Sequence, residues 1–218
     1  MKKIFAAFTA VMLTASLIAV FTVNTAAFRP AVALTFDDGP APGVTERIVE
    51  ALLRHGAKAT FFMVGEMVEK HPETARAVAE AGFEIGNHTY DHKNLKCLSA
   101  AEIKEELSKT AAAVKEATGM TVFAARAPGG NINDRVRALF EGFDVVGWTV
   151  DTKDWRDRDA EKLTEFIRRA PLKDGDIILM HDIRPTTADA VDEVLTILEE
   201  RGFDLVTVSE LAARKERD

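Results

Sequence analysis

From residue 31 to residue 208, short apolar runs alternate with amphipathic helical stripes, and this alternation constrains the fold more than any other feature of the chain. Residues 31–36, 59–64, 83–86, 122–124, 144–150, 177–180 and 205–208 have the length and composition of strands. Between them, Val44, Ile48, Val49 and Leu52 form a helical stripe that stops at Gly56, and 72–81 reads as a helix with Pro72 at its start and Gly82 at its end. Ser99 and Glu102 form a capping box for a helix ending at Gly119. Asn133 caps the next, expected to end near Gly142, and 160–170 and 187–201 supply two more. The strands are apolar throughout instead of alternating in polarity, so both of their faces must be covered, as in a parallel sheet under helices. About seven such strands, with no glycine-rich dinucleotide fingerprint after the first, favour a closed or nearly closed α/β barrel over an open doubly wound sheet.

A chain of 218 residues suits one domain with a full core. Its net charge of −7 and pI of about 5.4 advertise no surface for nucleic acid. Cys97 is the only cysteine, which excludes an intrachain disulfide, and it is expected to act as a small, partly buried apolar residue. At the N-terminus Lys2 and Lys3 precede an uncharged run over 4–23, and Thr25, Ala26 and Ala27 supply small residues of the kind cleaved by signal peptidase. Residues 1–27 are therefore either a cleaved signal peptide or an uncleaved signal anchor in the membrane. Both place the domain at 28–218 outside the cytoplasm, secreted or held on the outer face of the membrane.

In a parallel barrel, functional groups gather at the C-terminal ends of strands. Every cluster of reactive side chains falls at such an end. Asp37 and Asp38 close the first strand; neighbouring strand residues point to opposite faces, so the two carboxylates diverge. Their mutual repulsion demands a metal ion or an arginine. His88 and His92 follow the 83–86 strand, and on one turn of helix that spacing aims both imidazoles at one metal. Two histidines with one aspartate leave positions open for water and substrate. Arg126, Pro128, Gly129 and Gly130 follow the 122–124 strand, Asp151, Asp154 and Trp155 follow the 144–150 strand, and His181 and Asp182 follow the 177–180 strand. His55 and His71 stand at helix ends, where capping and solvation account for them, and Trp148, inside a strand, reads as core.

The run Thr35-Phe36-Asp37-Asp38-Gly39-Pro40, with His88-x-x-x-His92, Arg126-x-Pro128, Asp151-x-x-Asp154-Trp155 and Leu179-Met180-His181, resembles the NodB-like polysaccharide deacetylase family. The resemblance implies a single-domain distorted (β/α)7 barrel and metal-dependent hydrolysis of N-acetyl groups on sugar polymers, peptidoglycan or chitin-like oligosaccharides foremost. It implies that Asp38, His88 and His92 bind one divalent ion, zinc before cobalt or nickel. It makes Asp37 the general base, His181 the general acid, Asp154 the partner that orients His181, and Arg126 the group that keeps Asp37 ionised. Leu179 and Trp155 become the wall around the acetyl methyl, and a backbone N–H at Gly129 a donor to the oxyanion. Many family members carry an aromatic residue where this chain has Gly129-Gly130; the N–H survives the change, whereas the side chain that shapes the sugar cleft does not. A monomer is expected. The same site chemistry suits an O-acetyl esterase acting on acetylated xylan. An inactive sugar-binding protein would lack the base, the acid or a ligand, and none of the five is missing.

Overall fold

The computed structural model describes residues 29–215; the leader or anchor expected at 1–27 lies outside them. The chain runs through β1 (Ala31–Asp37), α1 (Thr45–Arg54), β2 (Thr60–Met63), α2 (Gly65–Lys70), α3 (Pro72–Glu80), β3 (Glu84–Asn87), α4 (Ala100–Thr118), β4 (Ala124–Ala125) and α5 (Asp134–Arg137). It continues through β5 (Asp144–Val145), β6 (Val150–Asp151), α6 (Asp154–Asp157), α7 (Ala160–Arg169), β7 (Asp176–His181), α8 (Pro185–Glu200), β8 (Asp204–Val206) and α9 (Val208–Lys215). No described helix is long and apolar enough to cross a membrane.

Every strand pairing is parallel, and the strands follow the order β5-β4-β3-β2-β1-β7-β6, with β8 against the first residues of β1. The curled sheet is a distorted (β/α) barrel, as the family resemblance implies, and the alternation favours a barrel of this kind. All seven residues of β1 are buried, and they sort by parity. Val32, Leu34 and Phe36 pack with Ile48, Leu52, Val191 and Leu195 of the surrounding helices. Ala31 and Ala33 face the interior with Phe62 and Ala124. Small residues on that face leave room inside the barrel for a large polar side chain, which is Arg126, only 1% exposed.

Five expectations change. The strand expected over 144–150 is two fragments, β5 and β6, and these are the two ends of the sheet path. The barrel is open there, and the carbonyls of Val146 and Gly147 accept from the Arg126 guanidinium instead of from a neighbouring strand. The helix capped by Asn133 ends at Arg137, well before Gly142, because turns at Leu139 and Phe140 interrupt it. Val208 opens α9 instead of closing the last strand. The segment from His88 to His92 is not helical: Thr89 and His92 have φ of 66° and 60°. Cys97 lies in a short 3-10 turn and is exposed, not partly buried.

Candidate active site and metal centre

Strand register assembles the site. Asp37 pairs with His181 across β1 and β7, so these two groups stand side by side at one level. Met63 pairs with Asn87 and Asn87 with Ala125, which places His88 and Arg126 one residue beyond the ends of β3 and β4. Asp151 pairs with Leu179 on the far side. The cleft over these strand ends has a volume of about 380 Å³ and is lined by Asp37, Asp38, His88, His92, Gly129, Trp148, Asp151, Trp155, Leu179 and His181. Eight of the ten predicted site residues line it, and the other two, Arg126 and Asp154, are buried beneath, each bonded to a lining residue.

The two aspartates divide as expected, though for a different reason. Asp37 ends the strand, whereas Asp38 has left it, with φ of 78°. That left-handed turn, not strand alternation alone, swings the second carboxylate towards the histidines. Asp37 Oδ1 accepts from Arg126 Nη1 at 2.7 Å, and the same nitrogen donates to Thr35 Oγ1 at 2.8 Å. The guanidinium lies 4.1 Å from the Phe62 ring centroid and is bonded on its other edges to the carbonyls at the barrel opening. Arg126 is thus an internal pillar that fixes Asp37 from behind, leaving Oδ2 to face the cleft.

Asp38 Oδ1 lies 3.4 Å from His88 Nε2 and 3.1 Å from His92 Nε2. Among the described residues no donor bonds this oxygen, although it is buried. His88 Nδ1 sits 2.9 Å from the carbonyl oxygen of Arg126, which can only accept, so Nδ1 carries the proton and Nε2 offers a lone pair. Three electron-pair donors therefore converge with all ligand atoms within 4.8 Å of one another. Tetrahedral zinc with bonds near 2.1 Å separates its ligands by about 3.4 Å, close to the two spacings from Asp38. The donor set fits a divalent cation. Burial pushes the Asp38 carboxyl up, but the two adjacent imidazoles outweigh it and hold the group well below the usual carboxylate range. Asp38 pushes His92 the other way, to a raised pKa.

Across the cleft, His181 Nδ1 donates to Asp154 Oδ1 at 2.8 Å. Asp154 also accepts from the N–H of His181, the N–H of Trp155 and the hydroxyl of Thr187. Four donors hold this buried carboxylate in one orientation. Burial pulls His181 down, yet Asp154, with Asp38 and Asp37 behind it, leaves its pKa raised. A proton on Nε2 then faces the pocket.

Two residues gain roles that the sequence reading did not give them. Trp148, expected in the core, lines the cleft, because its strand breaks at the barrel opening. Asp182 is fully buried next to His181, bonds Thr45 Oγ1 at 2.7 Å, and is pushed up to about 7 by burial. Its carboxylate occupies the space that a side chain at position 39 would need, so Gly39 is a glycine for steric reasons beyond ending the strand.

A family model described as polysaccharide deacetylase matches residues 26–148. The chain belongs to the polysaccharide deacetylase family. It is 40% identical over 184 residues to the peptidoglycan-N-acetylglucosamine deacetylase PgdA of Listeria monocytogenes, covering 84% of this chain and 39% of that protein. It is 38% identical over 188 residues to the peptidoglycan-N-acetylmuramic acid deacetylase PdaC of Bacillus subtilis, covering 86% of this chain and 40% of that protein. The solved PdaC structure superposes with a TM-score of 0.82 over 87% of this chain and 93% of that one. The chain spans about two-fifths of the length of these two curated relatives. A Bacillus anthracis structure described as a pseudoenzyme of carbohydrate esterase family 4, BA3943, also superposes, at 34% identity and a TM-score of 0.79 over 84% of this chain and 65% of that one. Polysaccharide deacetylase membership thus does not by itself separate an active site from an inactive one; the side chains of this cleft must do so.

Proposed function

We propose that this protein hydrolyses N-acetyl groups on amino sugars of an extracytoplasmic polymer, with peptidoglycan as the substrate class. The observation that carries the reading is the division of labour at the cleft floor: Asp38 faces His88 and His92, while Asp37, held by Arg126, stands level with His181. The peptidoglycan deacetylases among the relatives favour the polymer, and the lysine-flanked apolar run over 4–23 favours export.

Asp38, His88 and His92 would hold the cation, which when bound supplies Lewis acidity that makes water a better nucleophile and polarises the acetyl carbonyl. Asp37 is the general base: it accepts a proton from the attacking water as the new C–O bond forms. Arg126 fixes its Oδ1 from behind and so aims Oδ2 at the cleft. The N–H of Gly129, on a loop with no side chain to obstruct it, stabilises the oxyanion. His181 then donates its Nε2 proton to the amide nitrogen as the C–N bond breaks, giving acetate and a free amine. Asp154 stabilises the imidazolium before that transfer and orients the ring during it. Leu179 and Trp155 enclose the methyl group.

The test is acetate release by the purified, zinc-loaded chain from peptidoglycan, chitooligosaccharides, poly-N-acetylglucosamine and acetylxylan. Release from the N-acetylated polymers, peptidoglycan most rapidly, is the expected result. Release from acetylxylan alone would convert the assignment to an ester hydrolase, and no release from any substrate would make the chain a binding protein.

A further inference from the structure

The geometry points to Glu106 as the positioning residue of the metal centre: from α4 it clamps the backbone between the two histidines and so sets the cation affinity of the site. This rests on the metal reading above. Glu106 is 7% exposed and belongs to none of the sequence motifs. Its Oε2 accepts from the N–H of Tyr90 at 2.8 Å and from the N–H of Asp91 at 3.1 Å, two of the three amides between His88 and His92; the third, of Thr89, donates to Asn87 Oδ1. On the opposite edge of the same loop, the N–H groups of Gly65 and Glu66 donate to the carbonyls of Thr89 and Tyr90 at 2.9 and 2.8 Å.

The loop needs such a clamp. Five described non-glycine residues have positive φ, and Asp38, Thr89 and His92 are three of them. Left-handed backbone outside glycine is unfavourable and persists only where the surroundings over-determine it. His88 is fixed independently, by its own bond to Arg126 and by its place at the end of β3. Among the described residues His92 meets only the other two candidate ligands, Asp38 and the His88 ring; its side chain is 45% exposed and its position is inherited from the loop. Holding Tyr90 and Asp91 therefore holds His92 at its distance from Asp38. Lys93 pairs with Asp91 and approaches Glu106 at 3.7 Å, so the carboxylate also lies within a cation's field. Reach and charge are thus separable contributions, and the inference assigns the effect to reach.

Two variants distinguish them. Glu106→Gln keeps an oxygen at full reach and loses the charge; Glu106→Asp keeps the charge and withdraws by one methylene. Zinc affinity is measured by competition with a chromophoric chelator, and the cobalt(II)-loaded proteins are compared by visible absorption. Glu106→Gln should bind zinc within about threefold of the unmodified protein, while Glu106→Asp should bind about 10–100-fold more weakly, with an altered cobalt spectrum. Val194→Ala, a core substitution in α8 remote from the cleft, should lower the melting temperature and leave zinc affinity unchanged. Any other ordering of the two Glu106 variants overturns the proposal, as does an unchanged cobalt spectrum in Glu106→Asp. If the unmodified protein binds neither ion, the metal reading itself fails, and this measurement shows that directly.

Discussion

The two halves of the cleft are built on different principles. Asp37 and His181 stand on adjacent strands in register, each tied from behind to a buried partner, Arg126 or Asp154. Asp38 and His92 stand on left-handed loop residues and depend on contacts from other elements. The half proposed to transfer protons is thus fixed by sheet register, and the half proposed to hold the cation depends, at Asp38 and His92, on tertiary clamps. Strand register is stiff and suits groups whose pKa and aim must hold through a reaction. A loop can close around an ion whose binding free energy repays part of its strain.

The strongest challenge to this division is Asp37→Asn. It keeps the hydrogen bond to Arg126 and leaves the ligand half untouched, so turnover should fall by about 10³-fold while zinc stoichiometry, measured by elemental analysis, stays at the wild-type value. Near-wild-type turnover would exchange the roles of the two aspartates. The next test compares the two histidines in metal-free protein. His88→Ala removes a buried ring and orphans the Arg126 carbonyl, which should cost about 2 kcal/mol in urea denaturation. His92→Ala, half exposed on the loop, should unfold within about 0.5 kcal/mol of the parent. Both should lose zinc. Equal destabilisation would mean that the loop is as much a part of the core as the strand end.

A smaller effect is expected from Asp154→Asn. Burial lowers the His181 pKa and the Asp154 carboxylate more than offsets it, so the proposed acid stays protonated to higher pH than an ordinary imidazole. Removing that negative charge lowers the pKa, and His181 loses its proton earlier as pH rises. The alkaline limb of the kcat/KM profile should therefore move to lower pH, with a loss of about tenfold near neutrality. An unmoved limb would assign it to another group.

The same division explains what could be read from the sequence. The parallel sheet and the positions of Asp37, His88, Arg126 and His181 were legible because apolar runs mark strands and reactive residues follow their ends. Family resemblance, not spacing, supplied the individual roles. The spacing of His88 and His92 matches a helical turn equally well, and only the backbone bonds to α2 and Glu106 make it a loop. Glu106 itself left no signal, since an acidic residue on an amphipathic helix reads as solvated surface. The opening between β5 and β6 was hidden for a related reason: 144–150 has strand composition throughout, and what interrupts it is the Arg126 guanidinium taking two carbonyls of that segment.

Trp148 shows the consequence of that opening, and Gly130 tests it most finely. Gly129 and Gly130 have φ of 57° and 65°, so alanine at either position carries a left-handed penalty of about 1 kcal/mol. Their surroundings differ. A Cβ at 129 would meet only the Asn131 side chain, at 3.1 Å, whereas one at 130 would stand 2.7 Å from the Trp148 indole. Both variants should lose similar stability, but only Gly130→Ala must displace the indole. In a Trp155→Phe background Trp148 is the sole tryptophan, because the chain has two. Its emission should therefore shift in Gly130→Ala and stay fixed in Gly129→Ala. If Trp148 belongs to the cleft wall, Gly130→Ala should also raise KM for a chitooligosaccharide more than it lowers kcat. Emission that moves with no change in KM would return Trp148 to the role of packing at the barrel opening, and would leave Trp155 as the only indole facing the sugar.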